Sequence, residues 1–458
     1  MLEDAREVGS RAQDLSRGEL AVLARAASTK GPGQPIVVFN PLPWDRTAPV
    51  EVADADVSVL DPDLHAIPSQ RTSAGKRVFL AALPSFGYAV YHLVASTASD
   101  PARDLAVAAG DPIVLANDAL RVAIDSKSGR VSHMELAASG VPLVAHDGIG
   151  GAAPVVLRES EGATAEHSAR FVDAPDSVRL LERGPVRSVV RVERTIDPGA
   201  KLAQDFVLYA QGSELAIRTR VDGWRGPGRL YSVFQLAHAS PWIVHGVPFG
   251  SAALPSGTRD RWSDIRALDW IAQGDSRASM VILDDADAAF TAGGKSLAIQ
   301  LDDGVADLAG VAGRELELVV HAGAQSWRAG AAHAAAELEH PPQVVRAEPH
   351  EGTRGTRHSF LRIARLLPDG HAVEGPRSGV MLSALKPAES GDDWIVRVYE
   401  LNGDSVPLRL TFDRPVFDAR TTDVLERPGA GLRVNGKQVE LKLAPYRIET
   451  IRVSVKPR

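Results

Sequence analysis

Apolar side chains in the first thirty residues recur at helical spacing. Leu15, Leu20, Leu23 and Ala24 lie among alanines and charged residues, which predicts one helix over residues 2–28. Gly31-Pro32-Gly33-Gln34-Pro35 closes it, because two prolines and two glycines cannot continue a helical ladder. The stripe is narrow and no helical partner is legible downstream, so its partner is expected outside this chain.

After Pro35 the pattern changes to short apolar or alternating runs, and the expectation is β structure throughout. Ile36-Val37-Val38-Phe39 ends at Asn40-Pro41, and Val78-Phe79-Leu80 and Tyr88-Ala89-Val90-Tyr91 flank Pro84-Ser85-Phe86-Gly87. Arg121-Val122-Ala123-Ile124, Ser188-Val189-Val190-Arg191-Val192 and Leu215-Ala216-Ile217-Arg218 carry the same signature between turn-forming clusters. A last block holds Val380-Met381-Leu382, Trp394-Ile395-Val396-Arg397-Val398-Tyr399 and Ile448-Glu449-Thr450-Ile451-Arg452-Val453. The predicted organisation is a helical stub over 1–30, a small β-sandwich over 31–100, a large β unit over 101–346 and a final β-sandwich over 347–458.

Composition narrows the function classes. The chain has 458 residues, 51 basic and 58 acidic side chains and a formal net charge of −7, an acidic balance that argues against nucleic-acid binding. No run of about 18 apolar residues occurs, so no membrane helix is expected. The charged start Met1-Leu2-Glu3-Asp4 lacks the apolar core of a secretory signal, which points to a cytoplasmic location. The absence of cysteine removes disulfides, thiolate metal sites and cysteine nucleophiles.

Chemistry-bearing patterns are sparse. Asp284-Asp285, Asp302-Asp303 and Asp392-Asp393 read as turn formers. Gly293-Gly294-Lys295-Ser296 ends like a phosphate loop but lacks its first glycine, and reads as a hairpin turn. No His-x-x-x-His pair and no Gly-x-Ser-x-Gly elbow is present. Tryptophans in loop-like surroundings (Trp224, Trp242 and Trp262) read first as packing residues and are also candidates for stacking on sugar rings, whereas Trp44 and Trp394 read as strand-borne core. Trp242, His245 and Trp262 form the candidate carbohydrate-contact set.

Val37-Val38-Phe39-Asn40-Pro41-Leu42-Pro43-Trp44-Asp45-Arg46 resembles the segment that opens the first β domain of glycoside hydrolase family 38, the α-mannosidases. The likeness continues in order through Pro84-Ser85-Phe86-Gly87-Tyr88, Glu182-Arg183-Gly184-Pro185-Val186, Val247-Pro248-Phe249-Gly250, Leu382-Ser383-Ala384-Leu385-Lys386-Pro387-Ala388, Arg397-Val398-Tyr399-Glu400 and Tyr446-Arg447-Ile448-Glu449-Thr450. It implies a mainly β fold: a small β-sandwich, a large mutarotase-like supersandwich and a C-terminal β-sandwich, preceded by one helix left from a three-helix bundle.

The resemblance also implies what to look for elsewhere. Family members hydrolyse α-mannosides with retention, using an aspartate nucleophile, a second carboxyl about 5 Å away and a zinc ion on two histidines and two aspartates. Those groups belong to an amino-terminal α/β domain. No catalytic residue, metal ligand or cofactor is therefore expected in this chain, and zinc is expected only in the catalytic domain. The implied partners are that catalytic domain, if separately encoded, and α-mannoside glycans. His146-Asp147 is the sole echo of the family's zinc motif and reads as a turn. Asp302 stands where relatives end the strand Leu297–Leu301 with an arginine that reaches their active site, so the charge offered there is reversed. A stand-alone carbohydrate-binding β protein is the alternative, and an epimerase-like enzyme a third reading.

An exposed leucine stripe on the stub promotes association or fraying. The Leu15→Asp, Leu23→Asp double variant is expected to lower self-association and alter proteolysis within residues 2–28. Ultracentrifugation with limited proteolysis checks this; no change in either overturns it.

Overall fold

The structure, a computed structural model, describes residues 11, 15–95, 105–145, 148–159, 167–172, 174–197, 200–226, 228–256, 263–284, 289–302, 314–323 and 330–456. The chain divides into two compact units, Met1–Asp100 with His340–Arg458, and Pro101–Glu339.

In the first unit the strand Gln34–Asn40 is apolar at nearly every position because both its faces are covered. Ile36 and Val38 point into a sandwich core with Val50, Phe79, Ala89 and Tyr91. Val37 and Phe39 point the other way, onto Tyr88, Val90, Ala24 and Ala27. Arg46–Val52, by contrast, alternates buried and exposed, with one face to water. Six strands form one layer, with Gln343–Arg346 and Gly87–Ala95 on either side of Gln34–Asn40; Arg77–Leu83 lies between Arg46–Val52 and Ser69–Arg71 in the other.

Residues 15–24 are helical, and their partner lies within the chain, contrary to expectation. Ala24 and Ala27 are buried on the sheet, with Leu20 beside them. The seam is closed by backbone: Ser28 N–H donates to Arg354 O at 2.9 Å, and the Thr29 hydroxyl donates to Glu348 O at 2.7 Å. Leu15 and Leu23 stay outward, 71% and 39% exposed.

The same unit contains the final sandwich of two five-stranded sheets. One is centred on Val406–Phe412 and the other on Ile448–Ser454, and Val396, Val398, Leu408, Leu410, Ile451 and Val453 fill the space between them.

The second unit packs four-, six- and nine-stranded antiparallel sheets around a core that includes Leu120, Ile124, Phe206, Ile217, Phe234 and Ile282. The reading of β structure throughout is corrected at Ala331–Glu339, which is an α-helix. Its buried positions, Ala331, His333, Ala335 and Ala336, are mostly alanines. Alanine favours helix strongly but gives a weak apolar periodicity, which hid the element. Ala331 and Ala335 pack with Val244, Trp270 and Val281 on one face of the nine-stranded sheet. No helix among the described residues is long and apolar enough to cross a membrane.

His92 lies fully buried on Gly87–Ala95, with Nδ1 3.0 Å from Pro32 O. A Cβ on Gly31 would come within 2.4 Å of the ring, so the glycine permits this approach. Burial lowers the His92 pKa, against the opposing pull of the Pro32 carbonyl. The unfolded chain therefore gains a proton near pH 6.5 that the folded chain accepts only at lower pH. Stability is fully present above about pH 6.5 and falls below it, by at most about 1.4 kcal/mol per pH unit for this group. His92→Gln is expected to make that decline shallower in urea titrations at a series of pH values; an unchanged slope overturns the assignment.

Candidate functional site

In the first unit, the turn after Asn40 is built on that residue's buried amide. Asn40 Nδ2 donates to Trp44 O at 2.8 Å and Pro84 O at 2.9 Å, while Oδ1 accepts from Leu42 N–H at 3.2 Å. Asp45 Oδ1 accepts from Ser85 N–H at 2.7 Å, and Ser85 Oγ donates to Leu361 O at 2.9 Å. Phe86 is held at φ 36° between backbone bonds to Leu42 O and from Phe360 N–H. Two distant sequence motifs thus meet at the strand Leu361–Leu366.

That seam lines a cleft of about 610 Å³ with Asp45, Arg46, Arg357, His358 and Arg362. Arg362 donates to Glu374 Oε1 at 3.0 Å and to Asp45 Oδ1 at 3.0 Å. Burial works against its charge, but Glu374 and Asp45 outweigh it and raise the guanidinium's pKa. Burial pushes the Glu374 carboxyl up, with Arg362 opposing. Asp45 was legible within its motif; Arg362 and Glu374 carry no local signal, because only the fold brings them to it.

Other motif residues serve similar ends. The Glu400 carboxylate, 1% exposed, accepts from the N–H groups of Asn402, Gly403 and Tyr446 at 2.7, 2.8 and 3.0 Å. In the second unit, Glu182 and Arg187 form a buried two-pronged pair at 2.7 and 3.1 Å across a hairpin. Gly293–Ser296 is a hairpin turn with Gly294 at φ 59°.

The carbohydrate-contact candidates separate. Trp242 opens the strand Trp242–Val247, is 52% exposed and pairs across to Pro255. His245, on the same strand, is 6% exposed, and its Nδ1 has no hydrogen-bond partner among the described residues. Side chains alternate along a strand, so Trp242 lies on the face of Val244 and His245 on that of Ile243. Trp262 lies outside the described residues, as do His146, Asp147, Asp285 and Asp303. Asp302 ends the strand Ser296–Asp302 opposite Leu230. Of the other tryptophans, Trp224 follows its packing reading and Trp394 departs from its reading as core. Trp224 is buried, its indole donating to Gly228 O at 3.4 Å. Trp394 is strand-borne but 37% exposed.

Among the described residues, one group of three side chains of metal-ligating type converges: Asp61, Asp63 and His65, with ligand atoms within 4.8 Å of one another. It is an exposed turn. Asp61 Oδ1 accepts from the N–H groups of Asp63 and His65, both at 2.9 Å, and Arg357 donates to Asp63 at 2.7 Å. One histidine on a solvated turn does not match a zinc centre of two histidines and two aspartates.

The Glycosyl hydrolases family 38 C-terminal beta sandwich domain matches residues 379–451. Alpha-mannosidase 2C1 of Mus musculus is 22% identical over 96% of this chain, and that of Homo sapiens 23% over 97%. Residues 379–451 carry the family 38 domain, and over its whole length the chain is similar to α-mannosidases. It corresponds to the family's β-rich carboxy-terminal portion and spans 42% of the length of each of these two relatives. The lysosomal alpha-mannosidase of Dictyostelium discoideum is 30% identical over 25% of the chain. In fold it resembles an alpha-mannosidase from Enterococcus faecalis V583, with a TM-score of 0.77 at 15% identity, covering 98% of this chain and 59% of that one.

Arg362→Met leaves two carboxylates without their shared cation. The expected loss is about 1–3 kcal/mol, between the exposed and fully buried limits, because Arg362 is 39% exposed. Adding Asp45→Asn is expected to cost less in that background than in the parent chain. Urea unfolding of the four-member cycle checks this; strict additivity overturns the shared role.

Proposed function

We propose that this chain acts as the β portion of an α-mannoside-hydrolysing enzyme. In this reading it completes and buttresses a catalytic α/β portion that supplies nucleophile, acid and zinc ligands from outside these 458 residues. The observation that carries it is the extent of the match. Likeness runs over 96–97% of this chain yet accounts for 42% of each full-length 2C1 relative. The chemistry of the motifs supports it: Asn40, Asp45, Glu182 and Glu400 bind backbone groups or an arginine within the fold. Retaining hydrolysis needs a pair of carboxyls free to reach an anomeric carbon and an aglycone oxygen, and carboxylates so engaged are poorly suited to that work. Zinc does not fit the Asp61, Asp63, His65 turn, so no step is assigned to a metal here. Trp242 is the side chain proposed to touch glycan, since an exposed indole offers an apolar face to the C–H side of a sugar.

The pure chain is expected to release no 4-nitrophenol from 4-nitrophenyl α-mannoside above the buffer rate. It is also expected to form a one-to-one complex with a separately expressed amino-terminal portion of the Enterococcus faecalis relative, read by ultracentrifugation. Turnover by the chain alone, or no association at micromolar concentration, counts against the reading. Once a complex forms, Trp242→Ala is expected to raise KM severalfold with kcat nearly unchanged; identical constants remove Trp242 from the proposal.

A further inference from the structure

Beyond the polar cleft, the first unit holds a second, more enclosed cavity of about 320 Å³. Leu23, Phe86, Phe360, Leu385, Trp394 and Phe412 supply apolar wall. Leu23 and Trp394 are 39% and 37% exposed, so part of the lining meets solvent.

Arg354, Asp413 and Arg414 gather at its rim. Arg414 Nε donates to Asp413 Oδ1 at 2.9 Å, and Arg354 Nη2 stands 3.3 Å from Oδ2. His358 Nε2 also reaches Oδ2, at 3.2 Å. Arg354 lies over the Phe360 ring, 4.9 Å from its centroid, which fixes one guanidinium against the apolar wall. Lys437 Nζ donates to Asp413 O at 2.8 Å. One carboxylate therefore faces two guanidiniums, with the Lys437 ammonium on the main-chain carbonyl beside it, and the rim carries excess positive charge. Arg414 is 46% exposed and can turn part of its donor fork outward.

We propose that this cavity binds a small amphipathic anion, an aromatic or aliphatic body bearing one carboxylate or sulfonate. The body lies among Phe360, Trp394 and Leu385, and the anionic head meets Arg414 and Arg354. An apolar cavity of this size with a few convergent polar groups at one end is the usual form of a small-molecule site. Arginine forks suit planar oxyanions. A neutral saccharide fits less well, because both oxygens of Asp413, which would have to accept its hydroxyls, already have donors. Burial works to raise the Asp413 pKa, but Arg414, His358 and Arg354 outweigh it and hold the carboxyl below its ordinary value. It is therefore an anion at neutral pH and leaves the rim's excess at the cationic side chains.

The test uses the full chain and the aromatic sulfonate 8-anilinonaphthalene-1-sulfonate, with decanoate and decanol as competitors. Saturable one-to-one binding, displaced by decanoate far better than by decanol, is expected. Leu385→Trp, which fills the cavity, is expected to abolish the emission. Arg414→Gln is expected to weaken decanoate roughly tenfold, the size of one charge-assisted contact, while leaving decanol within about twofold. Emission that survives a folded Leu385→Trp variant overturns the site. Equal displacement by decanoate and decanol overturns the anionic class. Should Leu385→Trp fail to fold by circular dichroism, energy transfer from tryptophan to the bound probe decides. Transfer undiminished in Trp394→Phe overturns the proposal, and its marked loss supports it. Displacement by an acidic peptide at concentrations well below those of decanoate would overturn the small-molecule class in favour of a protein segment.

Discussion

Buried backbone groups at strand ends must find partners, and in this protein polar side chains placed in the turns supply many of them. Asn40 satisfies three backbone groups at once and Glu400 another three, while Ser85 and Thr29 each tie one segment to another far along the chain. Two layered sheets bury apolar faces without difficulty, but their connections carry N–H and C=O groups that the ladder leaves open. With water excluded from these sites, an unmet donor or acceptor costs about 1–3 kcal/mol. The positions of these side chains therefore decide where the strands can turn and which turns can touch.

This constraint explains why so much of the family resemblance falls on turns rather than on reactive groups. The segment from Asn40 to Asp45 and the one from Pro84 to Phe86 bind one another and then Leu361 and Arg362. The tetrapeptide before Val186 closes a hairpin with Glu182 paired to Arg187. The tetrapeptide Arg397-Val398-Tyr399-Glu400 ends on the carboxylate that orders the turn at Tyr446. Such residues look like a signature because the geometry they serve admits few substitutes, and the resemblance they carry is to a fold first.

Much of the β architecture was legible because strands with two covered faces read as continuous apolar runs and those with one as alternation. Val37-Val38-Phe39 shows the first pattern and Arg46–Val52 the second. The helix at Ala331–Glu339 was hidden, since alanine marks helix by propensity and not by amphipathic contrast. The partner of the first helix was missed for a related reason: the face it needs, Val37, Phe39, Tyr88 and Val90, belongs to strands whose other face is also apolar. Of the candidate site, Trp242 and Asp45 stood out locally. Arg362, Glu374, Arg354 and Asp413 did not, because charged residues dispersed along the chain acquire meaning only when sheets bring them together. Trp394 was misassigned because a tryptophan in a strand has an even choice of faces.

The first layer is completed by Gln343–Arg346, which pairs with Gln34–Asn40 although the whole second unit lies between them in sequence. During synthesis, the edge of that early strand must wait for a segment that emerges much later. Contacts of such long sequence separation carry a high closure entropy and slow the final step of assembly. Through that interval an apolar edge stays open, in the state where strand edges are most prone to pair with the wrong chain. The inserted unit, built on its own antiparallel sheets, is a separate compact body that can fold meanwhile. Because closure entropy grows only slowly with the length of the intervening chain, the host tolerates so long an insertion at a modest cost.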